Sequence, residues 1–88
     1  MPICFQLLRD GKAVPLSTVD EELCNHFGVE CHPVRYYEGW YDCVGYGLAS
    51  GHSFDKIRDT YADLPRIVEI ANWIEAHFEV RSWYEQKS

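Results

Sequence analysis

Residues 53–78, SFDKIRDTYADLPRIVEIANWIEAHF, constrain the fold of this chain more than any other stretch. Ile67, Ile70, Ala71, Ile74 and Phe78 recur at offsets of three, four, seven and eleven residues, which makes one apolar stripe on a helical period. Arg66, Glu69, Asn72, Glu75 and His77 fall mostly on the other side. The stripe has to be buried against something else in the molecule. Upstream, Phe54, Ile57 and Tyr61 give a second apolar side, and Leu64-Pro65 interrupts the pattern. Proline fits a first turn but not a helix interior, so two helices meet at a corner near Asp63, the second running over about residues 65–77. Ser53 is placed to cap the first of them, with Asp55 near its positive end.

The remaining chain supplies what these helices cover. Residues 3–8 form a short apolar run with Gln6 as its polar member, and Asp10-Gly11 behind it tolerates positive φ, which together predict a strand ending in a turn. Residues 13–16 extend from that turn as the second arm of a hairpin, with Pro15 keeping them from a central strand position. Thr18 and Glu21 have the capping-box spacing, Asp20, Glu21 and Glu22 would load the first turn with negative charge, and Val19, Leu23 and Phe27 lie four apart before Gly28. These predict a helix over residues 18–27. Residues 41–46 read as a strand broken by Gly45 and Gly47, with a short helix whose glycines allow close approach of another backbone as the alternative, and residues 79–84 alternate as a final strand, followed by a polar tail at 85–88. The expected fold class is α+β, a single small domain over residues 1–88 with a short sheet of two to four strands packed against three helices. The first and last strands are expected to pair, because neither is stable alone.

Composition narrows the function. A chain of 88 residues has one core, and 47% hydrophobic with 15% aromatic residues is enough to fill it. Fourteen acidic against eight basic residues give a net charge of -6. The basic residues are scattered, so the summed field repels phosphate backbones and anionic membranes, and neither nucleic acid nor membrane is the expected partner. The first twelve residues lack a basic lead-in and a small-residue cleavage site, and no run reaches the length of a membrane span. Four cysteines in that setting read as reduced thiols in a cytoplasm.

Three constellations carry possible chemistry. Cys24, Cys31, Cys43 and His52, with His26 and His32 nearby in sequence, are zinc-preferring ligand types, but Cys24 and Cys31 flank a helix end with six residues between them, wider than structural zinc pairs use. Zinc is the alternative cofactor, and the main expectation is none. A thiol nucleophile at Cys43 or Cys31 with an imidazole base at His52 or His32 lacks any local signature, and no phosphate loop or nucleophile elbow is present, so an enzyme is not expected.

The aromatic stretch Tyr36, Tyr37, Trp40, Tyr41 and Tyr46, interleaved with Glu38 and Asp42, is the third. Adjacent rings cannot all point inward from a strand, and Tyr and Trp dominate protein interfaces. Asp55 and Asp59, one helical turn apart with Asp63 beyond, offer an acidic face. The expected function is a small acidic, non-enzymatic protein-interaction module, an inhibitor or adaptor of a larger protein of the kind that viruses and mobile elements use. Tyr36, Tyr37, Trp40, Tyr41, Tyr46, Asp55 and Asp59 would be its contacts. A homo-oligomeric structural subunit, built on the aromatic stretch or an exposed strand edge, is the alternative, and a Cys/His zinc domain a second one.

Overall fold

A computed structural model of the chain describes residues 3–29 and 40–84. Strand β1 (Ile3–Arg9) turns through Asp10 and Gly11 into β2 (Lys12–Val14), with Arg9 opposite Lys12 and Leu7 opposite Val14. Asp10 and Gly11 both have positive φ, 54° and 78°, the conformation a two-residue turn needs to follow the twist of its strands. The last strand, β3 (Glu79–Tyr84), lies antiparallel on the other side of β1, from Leu8 opposite Glu79 to Ile3 opposite Tyr84. The sheet order is β2-β1-β3. The expected pairing of first and last strands is what holds it together.

Helix α1 (Leu16–Phe27) begins two residues before the expected Thr18. The Pro15 carbonyl accepts from Thr18 N at 2.9 Å and Val19 N at 3.1 Å, so proline, with φ preset, takes the capping position. Thr18 is therefore inside the helix and makes no capping box, and the acidic run leaves the first turn. At the far end Gly28 adopts φ 70°, and Val29 N reaches the Cys24 carbonyl at 3.0 Å, closing the helix with a Schellman turn.

The strand expected over residues 41–46 is absent. Trp40–Gly45 form a π-helix that runs directly into α2 (Tyr46–Ala49). The reason lies in which residues are buried: Trp40, Val44, Gly45, Gly47 and Leu48 face inward, a helical spacing of four and five rather than the alternation of a strand. Gly51, at φ 78°, ends α2 with a second Schellman turn through His52 N to the Gly47 carbonyl at 2.9 Å.

Helices α3 (Phe54–Thr60) and α4 (Pro65–His77) match the tandem read from sequence. Ser53 Oγ accepts from Lys56 N at 3.2 Å as its cap, and Pro65 opens α4. Arg58 ties the pair together, donating to Asp55 at 2.6 Å, Glu75 at 2.8 Å and Asn72 at 3.1 Å. All five residues of the predicted stripe, Ile67, Ile70, Ala71, Ile74 and Phe78, are buried, and Trp73 joins them. With Leu7, Val19, Leu23, Trp40, Val44, Leu48 and Ile57 they make one core. The molecule is thus α+β: the described residues form a three-stranded antiparallel sheet with four α-helices where three were expected. Among the described residues, no helix is long and apolar enough to cross a membrane.

Gly47 fixes how closely α2 approaches α3. A Cβ there would meet Ile57 Cγ1 at 2.7 Å and Cδ1 at 2.9 Å, and Ile57 is itself buried in the core. Although alanine favours a helix over glycine, the clash is larger. Gly47→Ala is expected to cost about 1–3 kcal/mol in urea unfolding. Adding Ile57→Val, which removes Cδ1, should recover part of that loss, so the two changes are less than additive.

Candidate interaction surface

The turn from the π-helix into α2 brings together groups that are separated in sequence. Tyr46, first residue of α2, is the most exposed large apolar side chain described, at 67%. Tyr61, which ends α3, is half-buried, with its hydroxyl close enough to Cys43 to stabilise the thiolate form of that residue. Tyr41 is half-buried in the π-helix, its ring edge-on to Trp40 at 5.5 Å between centroids. Asp42 is exposed on the same turn. Helical backbone creates this arrangement: with Trp40, Val44 and Gly45 turned inward, the intervening residues face outward, and α2 carries Tyr46 on.

Electrostatics here follow burial and neighbours. Burial pushes the Cys43 thiol up from its ordinary value, and the Asp42 carboxylate pushes it further, while the Tyr61 hydroxyl pulls it down. The Tyr61 phenol is also raised, first by burial, then by Cys43 and by Tyr46. Both groups are neutral at pH 7 and present weak hydrogen-bonding tips above an apolar body. A neutral thiol is a weak nucleophile, since the thiolate is the reactive form.

The sequence-derived candidates separate. Tyr41 and Tyr46 share this surface. Trp40 does not: its side chain is 0% exposed and fills the core, so its role is packing. Its Nε1 makes no hydrogen bond among the described residues. Asp55 and Asp59 are exposed on α3, Asp55 paired with Arg58. Tyr36 and Tyr37 lie outside the described residues. Of the alternative metal ligands, Cys24 is buried in α1, Cys43 contacts Tyr61, His52 is half-buried after α2, and Cys31 lies outside the described residues. Among the described residues no three His, Cys, Asp or Glu side chains converge as a metal site.

Sequence reasoning missed Tyr61 as part of this surface, because it was absorbed into an apolar helix side. The only sequence signal was its place at the corner before Pro65, where a helix end turns its last residue outward. It also missed a second aromatic group, in which Trp73 stacks on His77 at 4.5 Å and lies 5.7 Å from His26. His77 Nδ1 donates to the Trp73 carbonyl at 2.7 Å, and Arg66 sits over Phe27 at 5.0 Å, so these contacts join α1 to α4 and serve the fold. An open depression between the Asp10–Gly11 turn and the start of β3 includes Arg9, whose guanidinium is held by Glu22 at 2.6 Å and lies over Phe78 at 4.6 Å. Comparison with family models, curated proteins and solved structures gives no match to this chain.

The opposing influences on Cys43 set its reactivity. Tyr61→Phe removes the group that stabilises the thiolate, so alkylation of Cys43 at a fixed alkaline pH is expected to slow. Asp42→Asn removes a repulsion and is expected to speed it. Peptide mapping of iodoacetamide adducts across a pH series measures both, with the apparent pKa moving up in the first variant and down in the second.

Proposed function

We propose that this chain is a small acidic, non-enzymatic protein-interaction module that occupies a surface of a larger protein, as an inhibitor or adaptor. The observation that supports this reading is Tyr46, whose side chain stands 67% exposed, close enough to Tyr61 to act on its phenol, with Tyr41 on the turn that precedes it. Tyrosine presents a large rigid contact area with a polar tip and loses little conformational entropy on binding, which is why it recurs at interface hot spots. Helical backbone fixes where Tyr46 and Tyr61 leave the chain, which limits the backbone ordering needed on association.

Charge gives the surface its preference. Asp42 belongs to the same turn, Asp55 and Asp59 are exposed one turn apart on α3, and the whole chain carries -6. A partner presenting arginine or lysine is therefore steered toward it, and its cations can stack on the tyrosine faces. The exposed acids Asp55 and Asp59 act mainly on the rate of encounter, and the rings on the lifetime of the complex. A cytoplasmic setting fits the thiols Cys4 and Cys43, which form no disulfide among the described residues.

Two alanine variants distinguish contact from core. Tyr46→Ala should leave the circular dichroism and unfolding midpoint near wild type while weakening partner binding by about 2 kcal/mol, roughly thirtyfold. Trp40→Ala should cost about 3–5 kcal/mol of stability and lose binding only through unfolding. A photo-crosslinking residue at position 46, expressed in the native host, should give a discrete adduct to one protein, and the same residue at position 12 should not. Adducts at position 12 and none at 46 would move the interface elsewhere.

A further inference from the structure

The two edges of the sheet are protected unequally. On one side β2 is three residues long, begins with Lys12 and is followed by Pro15, three devices that prevent another strand from adding there. On the other side β3 runs for six residues with no proline, and among the described residues nothing pairs with its outer edge. Every second residue of that edge presents an N–H and a C=O outward, a template for one more antiparallel strand. Val80 shares the inner face with Leu7, its partner in β1, whereas Glu79, Arg81 and Trp83 share the outer face with Leu8, Gln6 and Cys4. Trp83 is 42% exposed, the largest ring at this edge.

From this asymmetry we infer that β3 is a homodimer interface, pairing antiparallel with β3 of a second copy about a two-fold axis through Ser82, to give a continuous six-stranded sheet. The sequence of the strand chooses both the occupant and the register. A two-fold normal to the sheet keeps inner faces with inner faces, so residues opposite each other must be of the same parity. Two such registers pair five of the six residues. One centres on Arg81 and sets two guanidinium groups against each other. The other centres on Ser82 and sets Arg81 of each copy opposite Trp83 of the second copy, twice per dimer. Cation and ring are then complementary across the axis, and the exposed Trp83 gives up part of its contact with water. No second protein is needed to explain the match, since the strand complements itself. Neither Arg81 nor Trp83 belongs to the tyrosine surface, so this association stands or falls separately from the heterologous binding proposed above.

Sedimentation velocity of the purified chain from micromolar to millimolar concentration tests the inference. A monomer–dimer equilibrium is expected. Trp83→Lys places lysine opposite Arg81 and should raise the dissociation constant by about tenfold or more, while Trp83→Phe keeps the ring and the dimer. Since residue 83 is exposed, both variants should retain the wild-type far-ultraviolet dichroism. A photo-crosslinking residue at position 82 of the otherwise unaltered chain gives a readout that does not depend on the lysine variant folding: the covalent dimer should map to β3 of the second copy, and position 12 should give none. A monomer at all concentrations, a dimer indifferent to Trp83→Lys, or cross-links from position 82 that map to any segment other than β3 would each overturn the assignment.

Discussion

The fold depends on one pairing: β1 against β3, six residue pairs joining Ile3–Leu8 to Glu79–Tyr84. The hairpin with β2 adds only three pairs, and two short strands by themselves are marginal in water. With β3 in place, Leu7 becomes fully buried and Val80 packs beside it, and the inner face of the sheet becomes a surface on which helices can bury their apolar sides. Arg9, at the end of β1, lies over Phe78, the residue that leads from α4 into β3, so the same contact that closes the sheet also anchors the long helix. Nearly all of the sequence lies between the two partners, which makes the central interaction of the molecule also its most non-local one.

Above that sheet, close packing of small residues decides the shape of the middle of the chain. Gly47 lets Ile57 come within a distance no Cβ would allow, and Trp40 fills the centre of the core from the first position of the π-helix. The π-helix has a consequence for the surface. Because it commits Trp40, Val44 and Gly45 to the interior, Tyr41, Asp42 and Cys43 are left nearer the outside, with Cys43 against Tyr61. Core and candidate interface are therefore two sides of a single turn. The ion pairs contribute less: Arg58 and its three partners orient α3 on α4, but Asp55 is almost fully exposed, and pairs of that kind add little to stability.

The sequence was most legible where period and punctuation agreed. The stripe from Ile67 to Phe78, the Pro65 start of α4, the Ser53 cap, the Asp10-Gly11 turn and the alternation of β3 each had a local physical cause, and each is present. Two local signals misled. Thr18 and Glu21 had the spacing of a capping box, but Pro15, earlier in the chain, satisfies the first amides with its carbonyl and starts the helix sooner. Residues 41–46 had aromatic and β-branched residues typical of a strand, and tertiary packing of Trp40 and Gly47 overrode that propensity. Of the candidate contacts, the exposure of Tyr46 was legible in outline, since five clustered rings exceed what a small core can bury. That Trp40 would be the one taken inside, and that Tyr61 would replace it at the surface, depends on contacts between distant segments, which no local pattern encodes.

The separation between β1 and β3 also bears on how the chain is made. Synthesis is vectorial and proceeds at about 5–20 residues per second, so β1 leaves the ribosome several seconds before its partner exists. During that interval the hairpin exposes Leu7 and Phe5 and a bare strand edge, while α1, α3 and α4 emerge with local signals sufficient to start their first turns. The order in which the elements appear is therefore the reverse of their importance to the finished sheet. Closing the sheet on β1 has to wait for Glu79–Tyr84, the last strand among the described residues.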